Sequence, residues 1–302
     1  MKRKPLDQQV IVVTGASSGI GLGTALLAAE RGASVVLLAR SGETLEDIVQ
    51  AIAESGGQAQ AIACDVSSRE QVEAAVAQVL ERHGRIDTWV NNAGVAIYGR
   101  LDEVSEEDSR RLFDINFWGV VNGSLAALPA LRASRGVLVN VGSEVSDAVI
   151  PLQGMYAASK HAVKGFTDAL RVEQVRVEDE DIAIVLVQPT ATNTPYPQHA
   201  RNYLDHEPKL PDPLIDPHRV AEAILEAAEK GGREVKVGAM AHMNTSMSKL
   251  LPALAERMSA KQAKRQEHER PPLDPAGTLF KPGHSGRVYG VDDDGRILQD
   301  NP

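Results

Sequence analysis

The chain has 302 residues, which is enough for one large hydrophobic core or two modest ones. Its hydrophobic fraction of 43% and charged fraction of 24% are ordinary for a globular protein and argue against global disorder. The net charge of −9 disfavours a nucleic-acid partner, because the phosphates would repel the protein.

Strand and helix patterns alternate along the first 238 residues. Short β-branched or apolar runs predict seven strands, at 10–13, 33–39, 59–64, 87–91, 137–141, 182–187 and 234–237. Helical patterns between them cover 21–31, 43–54, 67 or 68 to 83, 106–132, 155–177 and 217–230. Long crossovers imply parallel strands, so the sequence predicts an α/β fold with a doubly wound, seven-stranded, Rossmann-type domain over 1–238. A TIM barrel, the alternative, would need eight such units and would leave the first glycine-rich loop unexplained.

The last stretch, 239–302, breaks this alternation. An apolar stripe predicts one helix over 244–258; its members are Met247, Leu250, Leu251, Leu254 and Met258. Prolines after residue 270 end any helical pattern. Residues 277–291 could hold a short extended segment, and DDDG at 292–295 is typical of a turn.

A glycine-rich turn joins the first strand to the first helix. Residues 14–21 read Thr-Gly-Ala-Ser-Ser-Gly-Ile-Gly. Glycine permits a sharp turn and a close approach of the backbone to a phosphate, and the N-terminus of the next helix offers free N–H groups to an anion. This turn, in the first βαβ unit, predicts a site for a dinucleotide pyrophosphate.

Four motifs in order resemble those of the short-chain dehydrogenase/reductase family. They are the T-G-x-x-x-G-x-G turn, Asn91-Asn92-Ala93-Gly94 after the fourth strand, Ser143 after the fifth, and Tyr156-x-x-x-Lys160. The resemblance covers about residues 7–238. It implies an oxidoreductase that moves a hydride between a nicotinamide coenzyme and an alcohol or carbonyl carbon.

The resemblance also implies a set of coenzyme contacts. Glycines of the turn would wrap the pyrophosphate, Asp65 would meet the adenine amino group, and a loop with Pro189 and Thr194 would close over nicotinamide. This chain has Thr190 where that loop usually has glycine. The full expected set is Thr14, Gly15, Ser17, Ser18, Gly19, Ile20, Gly21, Arg40, Asp65, Val66, Asn92, Ala93, Gly94, Tyr156, Lys160, Pro189, Thr192 and Thr194.

The end of the second strand indicates which coenzyme is used. NAD enzymes usually place a carboxylate there for the ribose 2′-hydroxyl, whereas a 2′-phosphate needs positive charge. This chain has Ala39-Arg40-Ser41, with no acid and with an arginine able to pair with phosphate through a bidentate fork. A solvated surface arginine is the alternative interpretation. The missing acid favours NADP(H) over NAD(H).

Tyr156 and Lys160 are four residues apart on a predicted helix, so they share one face. An ammonium about 4 Å from the phenol favours phenolate by roughly 4 kcal/mol at an effective dielectric of 20, so we expect Lys160 to lower the pKa of Tyr156. Tyr156 would protonate the carbonyl oxygen in reduction, or accept the alcohol proton in oxidation. The resemblance implies that Ser143 holds the substrate oxygen, that Lys160 also binds the nicotinamide ribose, and that Asn116 maintains a water route to the lysine.

The segment 195–213 lies where the family carries its variable substrate lid, and long loops of this kind are often functional. Together with Val145, Leu152 and Gln153 it favours a moderately apolar alcohol or ketone substrate. An exposed apolar stripe would be sticky, so we expect the C-terminal extension, 239–302, to pack near this lid and narrow the pocket. Docking at a subunit interface is the alternative.

The remaining expectations concern assembly and location. The long helices at 106–132 and 155–177 resemble those that form dimer contacts in the family, which predicts a homodimer or homotetramer. The histidines lack metal-binding spacing, so no metal site is expected. Cys64 is the only cysteine, and no apolar segment approaches the roughly 18 residues that span a bilayer. We therefore expect a cytoplasmic protein without a disulfide or a membrane partner.

Two other functions stay open. One is a catalytically silent protein that senses NADP(H) or binds a partner; the presence of Asn116, Ser143, Tyr156 and Lys160 argues against it. The other is an epimerase or lyase that uses nicotinamide transiently. Extended enzymes of that kind usually carry a larger second domain than 239–302 provides.

Overall fold

The computed structural model describes residues 3–283, 286–291 and 297. Its strands are β1 (Val10–Thr14), β2 (Ser34–Ala39), β3 (Gln58–Ala63), β4 (Thr88–Asn91), β5 (Ile97–Tyr98), β6 (Val137–Val141), β7 (Ala183–Pro189), β8 (Arg201–Asn202) and β9 (Glu234–Val237). Its α-helices are α1 (Gly19–Glu30), α2 (Gly42–Glu54), α3 (Arg69–His83), α4 (Glu106–Phe113), α5 (Gly119–Ser134), α6 (Gly154–Arg171), α7 (Tyr196–His199), α8 (Pro217–Lys230), α9 (Ala239–Leu250) and α10 (Pro252–Ala260).

Seven strands form one parallel sheet in the order β3-β2-β1-β4-β6-β7-β9. Alternate residues of β1 face opposite layers: Ile11 and Val13 pack in the core that holds α1 and α8, whereas Val12 packs in the core that holds α3 and α5. Helices therefore cover both faces, which explains the continuous β-branched composition of the strand. The predicted doubly wound α/β fold is confirmed.

The strand order reverses beside β1, which places β2 on one side of it and β4 on the other. Crossovers leave this pair toward opposite faces of the sheet, so a crevice opens at the carboxyl ends of the two strands. The glycine-rich turn follows β1 directly and lies at this crevice.

Several local features differ from the sequence prediction. A second, two-residue parallel pairing joins β5 to β8 and was not predicted, because so short a strand carries no periodic signal. The helical pattern over 106–132 is interrupted by a π-helical turn, Asp114–Trp118. The pattern over 155–177 ends in a second π-helical turn, Val172–Val177. Both π turns keep the chain helical, so the sequence pattern does not distinguish them.

The C-terminal extension departs furthest from its prediction. The single helix expected over 244–258 is wrong: α9 ends at Leu250 and α10 begins at Pro252, because a proline cannot continue the hydrogen-bond ladder. Much of the predicted stripe stays exposed, including Leu250 at 78% and Leu251 at 56%. The described part of 277–291 forms turns and bends instead of a strand. The turn expected at 292–295 lies outside the described residues, and the domain boundary at residue 238 stays a prediction.

Candidate active site

A cavity of about 210 Å³ opens at the carboxyl ends of the central strands. Its walls come from the glycine-rich turn, the end of β2, the turns after β3 and β4, and the first part of α6. The sequence-predicted coenzyme residues that line it are Gly15, Ser17, Ser18, Gly19, Ile20, Arg40, Asp65, Val66, Asn92, Ala93, Gly94, Tyr156, Lys160, Pro189 and Thr194. The fold thus brings segments nearly 180 residues apart to one crevice.

Three residues of the predicted set do not line this cavity. The Thr14 hydroxyl accepts hydrogen bonds from the backbone N–H of Asn92 (3.0 Å) and of Ala93 (3.1 Å), which ties β1 to the turn after β4. Gly21 lies beneath the turn. The Thr192 hydroxyl donates to the Thr190 carbonyl (2.8 Å) and faces a neighbouring cavity.

The shape of the turn depends on its glycines. Gly15 has φ of 66° and Gly19 has φ of 56°, a left-handed conformation that other residues adopt at a cost. A Cβ at Gly21 would lie 2.3 Å from the Gly15 carbonyl oxygen, so helix α1 packs here as only glycine allows. The turn presents its backbone and the N-terminus of α1 to the cavity, and this arrangement fits a dinucleotide pyrophosphate.

Arg40 lies at the rim of the cavity and is held by the C-terminal extension. Its Nη2 donates to the Thr278 carbonyl (2.5 Å) and its Nη1 donates to the Leu279 carbonyl (3.3 Å). Burial lowers its pKa, Asp65 opposes this effect, and Arg111 adds to it. The end of β2 contributes Ala39, Arg40 and Ser41 to the cavity lining. None of these three residues has a carboxylate that could bind the ribose of a coenzyme.

Sequence reasoning missed the segment 274–283, which we call the C-terminal strap. Thr278, Pro282 and Gly283 line the cavity, and Leu279 is fully buried in the core below it. Beyond the strap, the Gly19 N–H donates to the Arg287 carbonyl (3.0 Å). No motif marks these residues, because most of the contacts use the backbone.

Asp65 is already paired. One carboxylate oxygen accepts from Arg111 Nη2 (2.7 Å) and the other from the Ser67 hydroxyl (2.7 Å). Burial raises the pKa of Asp65, but these hydrogen bonds outweigh burial and hold the pKa below its usual value. Arg111, on α4, was not anticipated as a partner of this carboxylate.

Tyr156 and Lys160 lie on α6, with the Lys160 Nζ 5.7 Å from the centroid of the Tyr156 ring. The Nζ donates to the Val141 carbonyl (2.9 Å) at the end of β6. Ser143 follows that strand, and its side chain lies close enough to Tyr156 to lower the pKa of the phenol. The helix and the strand end therefore bring the three predicted catalytic groups together.

Burial controls the titration of this pair. Burial raises the pKa of Tyr156 to about 12, against the opposing effect of hydrogen bonds from Ser143 and Tyr196. Burial also lowers the pKa of Lys160 to about 8. The expected lowering of the tyrosine pKa is wrong, because burial disfavours the phenolate more than Ser143 and Tyr196 stabilise it.

Asn116 lies in the π turn before α5 and is fully buried. Its Nδ2 donates to the Val95 carbonyl (2.9 Å) and to the Ser159 hydroxyl (3.1 Å), and its Oδ1 accepts from the Val95 N–H (2.8 Å). Asn116 does not line the cavity. It holds the turn that carries Gly94. This turn lies beside Lys160, since a Cβ added at Gly94 would be 3.7 Å from the Lys160 Nζ.

A second tyrosine approaches the first. The rings of Tyr156 and Tyr196 have centroids 5.3 Å apart, and their hydroxyls interact. The Tyr196 hydroxyl also donates to Gln153 Oε1 (2.8 Å), and Gln153 Nε2 donates to Gln266 Oε1 (2.6 Å). A buried polar chain thus runs from Tyr156 to the C-terminal extension. Sequence reasoning had placed Tyr196 in the lid but gave it no contact with Tyr156.

A second cavity of about 100 Å³ adjoins the first at Tyr156. Ser143, Val145 and Gln153 line it, together with the lid residues Tyr196, Leu210 and Pro211. Leu152 was also expected there but does not line it. That residue instead takes a left-handed φ of 66° and its carbonyl accepts from the Gly99 N–H (2.8 Å).

Within the described part of the chain no group of three or more His, Cys, Asp or Glu side chains could hold a metal ion. Over the same residues, no helix has the length and apolar character needed to cross a membrane.

Comparison with known proteins identifies the family. Residues 9–204 match the family model of short chain dehydrogenases. The oxidoreductase YxnA of Bacillus subtilis is 40% identical over 278 residues, covering 91% of this chain and 78% of YxnA. The oxidoreductase SadH of Mycobacterium tuberculosis is 32% identical, covering 84% of this chain and 95% of SadH. The 3-ketodihydrosphingosine reductase of Bacteroides thetaiotaomicron is 38% identical over 63% of this chain and 66% of that enzyme.

Solved structures agree with this assignment. An alcohol dehydrogenase from Thermococcus sibiricus in complex with 5-hydroxy-NADP is 29% identical, with a TM-score of 0.67 over 76% of this chain and 95% of that one. A short-chain dehydrogenase from Streptomyces avermitilis is also 29% identical, with a TM-score of 0.70 over 85% of this chain and 97% of that one. This chain belongs to the short-chain dehydrogenase family and is an oxidoreductase of the NAD(P)-dependent type.

Proposed function

We propose that the protein interconverts an alcohol and a ketone or aldehyde with NADP(H), with Tyr156 as the acid and base. The observation that carries this proposal is the contact between Ser143 and Tyr156 where the two cavities meet, one fit for coenzyme and the other for substrate. A carbonyl oxygen placed there would face two hydroxyl groups. Carbonyl reduction requires a proton donor at this position.

Each residue has a separate task in the reduction. Bound nicotinamide would supply the hydride. The Tyr156 hydroxyl, kept protonated by its raised pKa, would donate its proton to the carbonyl oxygen as the new C–H bond forms. Ser143 would hold that oxygen beside the tyrosine. Lys160, held at the Val141 carbonyl, would bind the nicotinamide ribose. Asn116 would position Lys160 indirectly, because it holds the turn that carries Gly94 beside the lysine.

Removing the hydroxyl group of Tyr156 tests its assignment as the acid and base. We expect Tyr156→Phe to lower turnover about 10²- to 10⁴-fold, as loss of a proton donor implies, with NADPH binding nearly unchanged. The measurement is NADPH oxidation over a panel of ketones and aldehydes, with NADPH affinity measured by fluorescence. Tyr203→Phe is the matched control, because it removes a phenol hydroxyl that bonds Asp108 and lines neither cavity. Near-full turnover by Tyr156→Phe would contradict the role of Tyr156, and NADPH binding without turnover on any compound would favour the silent alternative.

The preference for NADP(H) over NAD(H) is also a proposal. Arg40 lines the cavity at the β2 end, and two of its five N–H donors are used by the strap, which leaves three for a 2′-phosphate. The neighbour from Thermococcus sibiricus was solved with an NADP derivative. Hydrogen bonds to a charged group contribute roughly 1.5–3 kcal/mol, so we expect NADPH to bind about 10- to 100-fold more tightly than NADH.

Arg40→Ala should remove most of that difference, whereas Arg69→Ala, a change at an exposed arginine outside the cavity, should leave it intact. Titration of both reduced coenzymes provides the measurement. Equal affinities in the unmodified protein would overturn the preference.

We also infer a homodimer or homotetramer. The exposed Trp118 packs on Phe117, which in turn packs on Phe166 of α6, so an apolar surface connects the two long helices. A cytoplasmic location stays a prediction that the single cysteine favours.

A further inference from the structure

The substrate cavity continues into another chamber. This third cavity, of about 100 Å³, shares six wall residues with the cavity beside Tyr156: Glu144, Val145, Ile150, Thr190, Ala191 and Pro211. The shared walls come from the turn after Ser143 and from the lid. The two cavities therefore adjoin along one side, and the hydroxyl pair of Ser143 and Tyr156 lies at the inner end.

The chamber is mainly apolar, and the C-terminal extension forms its far wall. Met240 and Met247 of α9 face Ala255 and Met258 of α10 across it. The Ser259 hydroxyl donates to the Val149 carbonyl (2.6 Å), which fastens α10 to the loop after Ser143. Methionine side chains adapt their shape to apolar ligands, so this wall suits a flexible or irregular apolar group.

Polar side chains also line the chamber; they are Glu144, Thr190, Asp212, Asn244, Ser248, Ser259 and Gln262. At the junction, Glu144 accepts from Asn244 Nδ2 (2.9 Å) and from Thr190, and burial raises its pKa. At the outer end, Gln262 Oε1 is buried and has no hydrogen-bond partner among the described residues. The other eleven lining residues are apolar, so most of the wall suits an apolar group.

We propose that the substrate is an elongated alcohol or ketone whose apolar arm passes from Tyr156 into this methionine-lined chamber. This inference rests on the proposed function, because the arm is placed relative to a carbonyl at Ser143 and Tyr156. Small ketones would fill only the cavity beside Ser143 and Tyr156 and would not reach the chamber. The C-terminal extension would then set chain-length specificity.

A series of methyl ketones from butanone to undecanone tests the inference through kcat/KM with NADPH. Burying one methylene is worth about a fourfold gain, so we expect kcat/KM to rise by about that factor per carbon until the chamber is full. Met247→Trp, which fills the chamber, should abolish the gain for long ketones and leave butanone unchanged. Met243→Trp is the control, because that residue lies on the same helix, is 45% exposed and lines neither cavity.

A binding measurement separates this inference from the proposed function. In calorimetry with NADP⁺ present, undecanone should bind the unmodified protein and bind Met247→Trp at least tenfold more weakly. This result without any turnover would support the chamber while refuting the proposed reaction. Turnover that does not vary with chain length, or equal undecanone binding by both proteins, would overturn the chamber while leaving the reaction in place.

A separate observation concerns the strap and Arg40. Two strap carbonyls hold the guanidinium, and Leu279, which supplies one of them, is fully buried. Arg111 Nε donates to the same Leu279 carbonyl (3.3 Å), and the Thr278 N–H donates to the His199 carbonyl (2.8 Å). The strap is thus anchored on both sides of the arginine.

We infer that the strap positions Arg40 for the coenzyme 2′-phosphate, an inference that rests on the proposed preference for NADP(H). An arginine side chain otherwise samples many rotamers, and two fixed carbonyls remove that freedom before the ligand arrives. Positioning would strengthen binding of NADP(H) and leave NAD(H) unaffected, since only the former carries the phosphate.

Loosening the anchor provides the test. Leu279→Ala should weaken NADPH binding about tenfold and leave NADH binding unchanged, whereas Phe280→Ala, at a 51% exposed neighbour, should change neither. Hydrogen exchange of the strap in the unmodified protein should slow with NADP⁺ more than with NAD⁺. If Leu279→Ala loses affinity for NADPH and NADH equally, the strap has only a structural role. If hydrogen exchange of the strap becomes faster with NADP⁺, the strap competes with the coenzyme for Arg40. Either result overturns the inference. An unmodified protein that binds both coenzymes equally would instead refute the underlying preference.

Discussion

At the residue scale, burial determines the protonation of Tyr156 and Lys160, the proposed catalytic pair. Lys160 is almost wholly removed from water and Tyr156 is partly buried, and burial pushes each toward its neutral form. With a pKa of about 12 the phenol keeps its proton at any physiological pH and can donate it to a carbonyl oxygen. The lysine, with a pKa of about 8, is the group of this pair that changes charge near neutral pH.

The pH dependence of reduction follows from Lys160. We expect kcat/KM for ketone reduction to be level below about pH 8 and to fall as pH rises through that value, because the lysine loses its proton. The measurement is a pH profile across neutral and alkaline pH with NADPH in excess. A profile that stays level through this range would show that the charge of Lys160 is not needed.

Lys160 also affects stability. Its pKa is lowered from 10.5 to about 8 on folding, so the unfolded chain binds more protons between those values and the free energy of unfolding rises with pH there. Lys160→Met should therefore raise the free energy of unfolding at neutral pH, on the order of 1–3 kcal/mol, while abolishing turnover. Urea denaturation measures the change. An equal stability increase at strongly alkaline pH would contradict this cause, since the lysine is neutral there.

At the scale of elements, the first turn and helix α1 depend on glycine for close packing. Gly21 and Gly23 of α1 differ in surroundings: a Cβ at Gly21 would lie 2.3 Å from a backbone oxygen, whereas at Gly23 the nearest atom is 3.5 Å away. The first contact cannot be relieved without moving the turn, and the second is ordinary van der Waals contact.

These two positions form a matched pair for mutation. Gly21→Ala should destabilise the protein by roughly 1–3 kcal/mol through overpacking and weaken NADPH binding, because the turn shifts. Gly23→Ala should stabilise α1 by roughly 0.5–1 kcal/mol and leave binding unchanged. Thermal melts and coenzyme titrations distinguish the two variants. Similar behaviour of the pair would show that close packing at the turn is not required.

At the scale of the whole molecule, the exposed apolar residues indicate where a second copy would bind. Trp118 is 51% exposed and Leu125, on α5, is 45% exposed. Exposed aromatic and aliphatic side chains beside a buried cluster are typical of subunit interfaces.

Self-association can be measured directly. We expect the unmodified protein to sediment as a dimer or tetramer and Trp118→Glu to dissociate it. Leu80→Glu, a similar change on α3 at a 37% exposed residue, should not alter the sedimentation coefficient. A monomer before mutation would exclude this interface.

The sequence by itself determined the sheet and the chemistry-bearing residues. Continuous apolar runs, without alternating polar residues, predict strands that are buried on both faces. The glycine-rich turn and the spacing of Tyr156 and Lys160 are also local patterns, so they can be recognised before the fold is known. Arg40, Tyr156 and Lys160, each predicted from its own element, line one cavity.

Only the tertiary structure decided the environment of those residues. Arg40 meets Thr278, Tyr156 meets Tyr196, and Asp65 meets Arg111 through contacts between segments far apart in the chain. The pKa of Tyr156 has the direction opposite to that expected, because burial is a property of the packed molecule and not of a four-residue spacing. The contacts of the strap likewise depend on where the extension docks, because they use backbone carbonyls that any type of residue supplies.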